Sequence, residues 1–245
     1  LPLGNGYETM IFVAWCLSLL ALGIGRRFPI AAASGLLMSG FALLVASLGM
    51  ANPQITPLVP VLRSPWLSLH VSLIMVSYAL LGLLMLNGTA ALALAAAARA
   101  GTAERTSRTL ARLRLFGRLL LYPAVFLLTA GIFTGAVWAN ASWGRYWGWD
   151  PKEVWALITL IVYALPLHEQ SLARFRRPLF FHAYTLWAFA AVLMTYFGVN
   201  YLLGGMHSYG GGFRPGYAAA TVFAAVTAFA LLTVAALIRQ RRTDT

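Results

Sequence analysis

Long apolar stretches recur along the whole chain, and they restrict its fold more than any other feature. Seven of them are long enough, at roughly 17–25 residues, to cross a ~30 Å hydrocarbon core as helices. They lie near residues 9–25, 30–50, 67–97, 119–138, 152–170, 179–202 and 217–238. Because Leu, Ala, Val and Phe fill them without strand-like alternation, we predict an all-α fold. The expected molecule is one domain over residues 1–245, a polytopic transmembrane bundle of about seven helices.

The arginines set the expected orientation of this bundle. Charged residues make up only 10% of the chain, yet its formal net charge is +12. The arginines form four clusters, one after every second apolar stretch, at 26–27, 99–118, 174–177 and 239–242. By the positive-inside rule all four face the cytoplasm, which places the N-terminus outside and the C-terminus inside. We therefore predict a multi-pass protein of the cytoplasmic membrane whose arginines contact lipid rather than nucleic acid.

The connection over residues 138–155 is rich in tryptophan. It carries five of the eight tryptophans of the chain, namely Trp138, Trp143, Trp147, Trp149 and Trp155. Single tryptophans at a membrane interface are ordinary anchors, but this density favours an apolar shelf for a large planar ligand. Trp143 and Trp147 are four residues apart and would lie on one face of a helix.

A helix start follows directly, in the sequence Asp150-Pro151-Lys152-Glu153. Asp150 is predicted to cap the helix, Pro151 to take its first position, and Glu153 to complete a capping box. A firmly capped helix would hold the tryptophan segment in a fixed orientation.

Two histidines belong to the same predicted outer surface. His70 follows the helix start at Ser64-Pro65-Trp66, and His207 lies in a glycine-rich turn after the sixth apolar stretch. A lone histidine is usually structural, but two of them beside a tryptophan shelf favour axial ligation of haem iron. Four cations also lie in the outer connections and either pair with haem propionates or remain solvated: Arg63, Arg145, Lys152 and Arg214.

The inner face carries a further candidate. His168 lies near the predicted cytoplasmic end of the fifth stretch, after Pro166, which is expected to kink the helix. His168 is a possible second haem ligand, and His182 is either its mate or an ordinary interfacial residue. The single cysteine, Cys16, leaves no CxxCH motif, so the chain is not itself a c-type cytochrome. Because it begins at Leu1 with an outside-to-inside stretch, we expect further sequence upstream.

The segment WGRYWGWDPKEVWALIT resembles the WWD signature of the haem-handling proteins of cytochrome c biogenesis, and among them the CcsA (ResC) family of system II. PLGNGYETMIFVAWCLSL, WLSLHVSLIMVSYALL, YALPLH and YFGVNYLLGGMHSYG also resemble CcsA segments in the same order. The resemblance implies a component of a holocytochrome c synthase that presents haem b outside the membrane. It also implies a CcsB-type membrane partner and apocytochrome c as the recipient.

The resemblance assigns roles position by position. It implies that His70 and His207 are the outer axial ligands, that Trp143, Trp147, Trp149 and Asp150 form the haem-binding shelf, and that His168 is the transmembrane ligand. The family usually lacks a histidine at the place of His182. Two alternatives remain open: a CcmC-type haem transporter or delivery protein without synthase activity, and a bis-histidine b-type electron-transfer protein.

Overall fold

The computed structural model describes residues 6–47, 63–203 and 216–244, and within these ranges it is helical without any β-strand. The helices are α1 (Gly6–Ile24), α2 (Pro29–Ser47), α3 (Pro65–Ala97), α4 (Ala103–Trp143), α5 (Pro151–Ala164), α6 (Pro178–Leu193) and α7 (Gly216–Asp244). Helix α6 continues through a π turn, Met194–Gly198, into a last α turn, Val199–Leu202. Each of the seven apolar stretches coincides with one of these helices, so the predicted all-α class is confirmed.

The lengths of the helices fit a membrane protein. Among the described residues, five segments are long and apolar enough to cross a bilayer: Gly6–Ile24, Pro65–Ala97, Ala103–Trp143, Pro178–Gly198 and Val222–Gln240. Large apolar side chains such as Leu22, Leu37, Phe126 and Phe223 point away from the bundle. In water such a surface would be unfavourable, whereas lipid accommodates it.

Helix α3 is the centre of the bundle and contacts α1, α2, α4, α6 and α7. Its neighbour α4 approaches closely because small residues lie at their interface. A methyl group added at Gly131 of α4 would lie 2.6 Å from Ile74 of α3. In lipid, where no hydrophobic force drives helices together, such close contact supplies much of the stabilisation.

The four arginine clusters meet at one end of the bundle. Phe28, next to the first cluster, packs against Phe116 of the second at a centroid distance of 4.7 Å. Arg114 of the second cluster donates from Nε to the Phe175 carbonyl of the third, at 3.0 Å. Arg239 of the fourth donates to the Ala98 carbonyl at the end of α3. This arrangement is what the positive-inside pattern requires.

Glu169, which follows the C-terminal end of α5, connects that helix to α4 at the arginine-rich end of the bundle. Its carboxylate forms ion pairs with Arg114 and with Arg118, the latter at 2.6 Å. The α-helical geometry of α5 ends at Ala164, and a 3₁₀ turn, Leu165–His168, takes its place around Pro166. The proline thus changes the helix type just before His168, because it has no N–H to continue the α-helical pattern.

The orientation of the bundle can be tested with cysteine reporters in a Cys16→Ala background. A Tyr146→Cys variant reports on the tryptophan-rich end and a Ser171→Cys variant on the arginine-rich end, since both side chains are exposed. In intact spheroplasts a membrane-impermeant maleimide should label the first variant, and the second only after lysis. The opposite labelling pattern would show that the arginine-rich end is extracytoplasmic.

Candidate functional site

The tryptophan segment begins where α4 ends. The last residue of α4 is Trp143, and Gly144 follows with a left-handed φ of 73°. Its N–H donates to the Asn140 carbonyl at 2.9 Å, which closes the helix in the manner of a glycine C-cap. Residues 144–150 are not helical, so the prediction that Trp143 and Trp147 share one helical face is wrong. Glycine terminates the helix between them.

The first four tryptophans of the segment form two separate pairs of indole rings instead. Trp138 and Trp143 pack edge to face at a centroid distance of 4.7 Å, and Trp147 and Trp149 do so at 5.8 Å. Trp138 is only 2% exposed and belongs to the bundle, whereas Trp149 is 73% exposed. Edge-to-face packing fixes each indole at its most favourable geometry, so the first pair anchors the segment and the second presents an aromatic surface.

The capping box at Asp150 and Glu153 is confirmed. The buried Asp150 side chain accepts a hydrogen bond from the Lys152 N–H at 3.2 Å, and Glu153 Oε2 accepts from the Asp150 N–H at 3.2 Å. The same Oε2 atom accepts from the Gly148 N–H at 2.8 Å. One carboxylate oxygen therefore binds the backbone on both sides of Trp149.

This double contact explains the conformation of Trp149. Its φ is 57°, the left-handed region that a bulky residue rarely adopts. Such a conformation costs about 1–3 kcal/mol and persists only where its surroundings enforce it. Because the N–H groups of Gly148 and Asp150 converge on Glu153, the backbone wraps around the carboxylate and turns the Trp149 indole outward.

His70 lies against α4 below this segment. Its Nδ1 atom is 2.6 Å from the Gly131 carbonyl oxygen, and a methyl group added at Gly135 would lie 2.6 Å from both Nδ1 and Cε1. A carbonyl oxygen only accepts, so Nδ1 carries a proton, and in the neutral imidazole the lone pair is on Nε2. Gly131, Gly135 and Trp138 follow one face of α4 at helical spacing, which places the imidazole about one turn from the buried Trp138 ring.

The remaining predicted residues occupy different places. Arg63 and Arg145 are exposed at the tryptophan-rich end, and the Arg145 guanidinium lies next to Gly148. Lys152 donates from Nζ to Asn200 Oδ1 at 2.9 Å. His207 and Arg214 lie outside the described residues. The structure thus brings His70, the two indole pairs and Arg145 to one end of the bundle.

His168 lies at the opposite, arginine-rich end, as predicted. It is exposed, and its Nδ1 atom donates to the Ala164 carbonyl oxygen at 2.9 Å, so that in the neutral ring the lone pair is again on Nε2. In His182 the other ring nitrogen, Nε2, makes the hydrogen bond. His182 is fully buried, its Nε2 donates to the Leu110 carbonyl at 3.3 Å, and its Nδ1 has no hydrogen-bond partner among the described residues. His182 therefore joins α6 to α4 within the bundle.

Sequence reasoning missed the glycines that hold His70. Gly131 and Gly135 are four residues apart in an apolar stretch, which is the spacing of small residues at close helix contacts. That signal was present in the sequence, but it did not indicate which side chain would occupy the space.

Taken together, these features define a polytopic α-helical membrane protein with an aromatic, histidine-containing site at the end opposite its four arginine clusters. A family model described as cytochrome C assembly protein matches residues 3–207. The chain belongs to this family, as its sequence resemblance predicted.

The similarity of the chain to curated relatives agrees with this family assignment. Protein NrfI of Wolinella succinogenes is 42% identical over 211 residues, which are 86% of this chain and 23% of NrfI. Cytochrome c biogenesis protein CcsA of Chlamydomonas reinhardtii is 37% identical over 220 residues, covering 85% of this chain and 61% of that protein. CcsA of Synechococcus sp. WH7803 is 37% identical over 248 residues, covering 85% and 77%. The chain thus spans about a quarter of NrfI and between three fifths and four fifths of these two CcsA proteins.

Replacing Glu153 tests the role of its carboxylate. Glu153→Ala leaves the N–H groups of Gly148 and Asp150 without their acceptor, and we expect the free energy of unfolding in detergent to fall by about 1–2 kcal/mol. The emission of Trp149 should change as its backbone relaxes. Glu104→Ala is the matched control, because it removes only an exposed i,i+4 ion pair with Arg108 and should cost less than about 0.5 kcal/mol. Equal effects of the two substitutions would contradict the proposed role of Glu153.

Proposed function

We propose that this chain binds haem b at its tryptophan-rich, extracytoplasmic end and presents it for covalent attachment to the CxxCH motifs of apocytochromes c. The observation that carries the proposal is the orientation of His70. Its Nδ1 is fixed on a backbone carbonyl of the neighbouring helix, about one helical turn from Trp138. Ligating histidines in proteins typically donate their second nitrogen in this way.

The residues at this end fit haem as a substrate. Imidazole Nε2 with its lone pair is a preferred axial ligand of haem iron, and the Nδ1 hydrogen bond both orients the ring and makes it a stronger donor. The exposed indole of Trp149 offers the porphyrin an apolar surface. Arg145, whose guanidinium lies next to Gly148, carries the charge and the bidentate geometry that suit a propionate. Arg63 and, from the resemblance, Arg214 are proposed to assist.

The second axial ligand is proposed to be His207, on the family resemblance. An iron held by two imidazoles is coordinatively saturated until one of them is displaced. The histidine of an incoming CxxCH motif is suited to displace it, which would hold the recipient chain next to the haem edge.

The chemistry itself belongs to the haem and the thiols. Each cysteine S–H adds across one vinyl group, so that a C–S bond forms, the hydrogen goes to the neighbouring carbon and the C=C double bond becomes single. The chain's part is to fix the orientation of the haem and keep its edge accessible. Relatives named as CcsA support this assignment, and we propose that a CcsB-type membrane partner completes the synthase.

His168 is proposed to receive haem at the arginine-rich end before it reaches the outer site. Its exposed ring has the same Nδ1–carbonyl arrangement as His70, which is the specific observation in favour of a second ligand. A b-type electron-transfer protein would instead keep its haem permanently between the same two histidines.

The proposal is tested by purifying the chain from haem-replete cells and recording its absorption spectrum. The parent should contain low-spin haem, and His70→Ala and His207→Ala should each lose most of it or become high-spin. Added imidazole should restore the low-spin spectrum, because it replaces the missing ligand. If both variants kept the parent haem content and spectrum, the outer site would not be ligated by these residues. Transfer of the haem to an added apocytochrome c separates delivery from electron transfer.

Gly135 gives a sharper test of the His70 geometry. Gly135→Ala places a methyl group 2.6 Å from the imidazole, so the ring must leave its position and the hydrogen bond to Gly131 must weaken. We expect haem affinity to fall on the order of tenfold or more. Gly40→Ala, in α2, is the control because nothing lies within 4 Å of the added methyl group. Equal haem affinity in the two variants would contradict the geometry.

A further inference from the structure

The interface between α5 and α6 contains polar side chains arranged along one face of each helix. On α5 these contacts involve Lys152, Trp155 and Thr159, at positions i, i+3 and i+7, which lie on one side of an α-helix. The Thr195 hydroxyl, in the continuation of α6, lies 3.1 Å from the Trp155 carbonyl oxygen and shares a hydrogen bond of 2.9 Å with the Thr159 hydroxyl. Closer to the tryptophan segment, Lys152 Nζ donates to Asn200 Oδ1 at 2.9 Å.

The π turn in α6 makes these two contacts possible together. Thr195 and Asn200 are five residues apart, a spacing that would place them about 140° apart around a regular α-helix. The π turn Met194–Gly198, in which the Val199 N–H bonds to the Met194 carbonyl, accommodates one additional residue. Both side chains consequently face α5. Gly198 permits the turn, since a Cβ there would overlap the Met194 side chain.

The Asn200 amide is fixed in one orientation. Its Nδ2 donates to the Tyr196 carbonyl at 2.6 Å, which leaves Oδ1 for the Lys152 ammonium group. A hydrogen bond between a charged donor and a preoriented acceptor is stronger than a neutral one. Lys152 is the second residue of α5, two residues after the capping residue Asp150. The contact therefore joins the tryptophan segment to the last turn of α6.

We propose that Lys152 and Asn200, together with the π turn, are positioning residues for haem binding. They hold the tryptophan segment in register with the end of α6, from which the chain continues toward His207. The inference rests on the proposed function, and it gives Lys152 a role different from both that the sequence left open, a propionate contact and a solvated charge. Neither residue has to touch the haem.

The test uses the full chain, titrated with haem b and followed by absorption and electron paramagnetic resonance spectroscopy. Asn200→Leu removes the acceptor and should lower haem affinity on the order of tenfold, with a shift from low-spin to high-spin iron. Asn200→Asp keeps an acceptor for Lys152 and should remain within about threefold of the parent. Lys152→Met should reproduce the Asn200→Leu effect, and the double variant should be no worse than either single one, since all three lose the same contact.

Thr233→Val is the matched control. It removes the hydrogen bond of 3.2 Å that Trp187 of α6 donates to Thr233 of α7, so it loosens α6 on its other side. If this control lowered haem affinity as much as Asn200→Leu, the effect would be general loosening and the inference would be overturned. If the parent binds haem and Asn200→Leu binds it with unchanged affinity, this inference alone would be overturned. A parent without haem would overturn the proposed function and this inference with it.

Discussion

The hydrogen bond between His70 and the Gly131 carbonyl is the interaction on which the candidate site depends. It forms only because α3 and α4 pack closely enough for an imidazole to reach the backbone of the neighbouring helix. Gly131 and Gly135 provide that space, and a side chain at either position would meet α3. Helix packing in the bundle thus selects the imidazole tautomer. The tautomer in turn determines which nitrogen faces a metal.

A second constraint comes from the cost of polar groups in a membrane protein. At the tryptophan end, Glu153 satisfies the N–H groups on both sides of Trp149 and so maintains a backbone conformation that would otherwise be strained. At the arginine-rich end, Glu169 pairs with Arg114 and Arg118. Partly buried charges are tolerated when they are paired in this manner. The two ends are therefore stabilised in different ways, one through backbone capping and the other through ion pairs.

Much of this arrangement could be predicted from the sequence. The apolar stretches predicted the helices, and the positions of the arginines predicted that one end of the bundle is charged. Asp150 and Glu153 predicted a capping box. Each of these predictions depends on chemistry that is local in the sequence. The prediction that Trp143 and Trp147 share one helical face was wrong because one glycine, Gly144, adopts a left-handed conformation that spacing alone does not reveal. The π turn in α6 could not be foreseen either, since it arises from the packing of α6 against α5.

The most direct test of the central claim is a structure of the chain loaded with haem b, determined in a lipid nanodisc. The account predicts that iron is bonded to Nε2 of His70 while Nδ1 remains on the Gly131 carbonyl, with the porphyrin close to Trp149. Haem bound elsewhere in the bundle, or a His70 ring turned away from the iron, would contradict it.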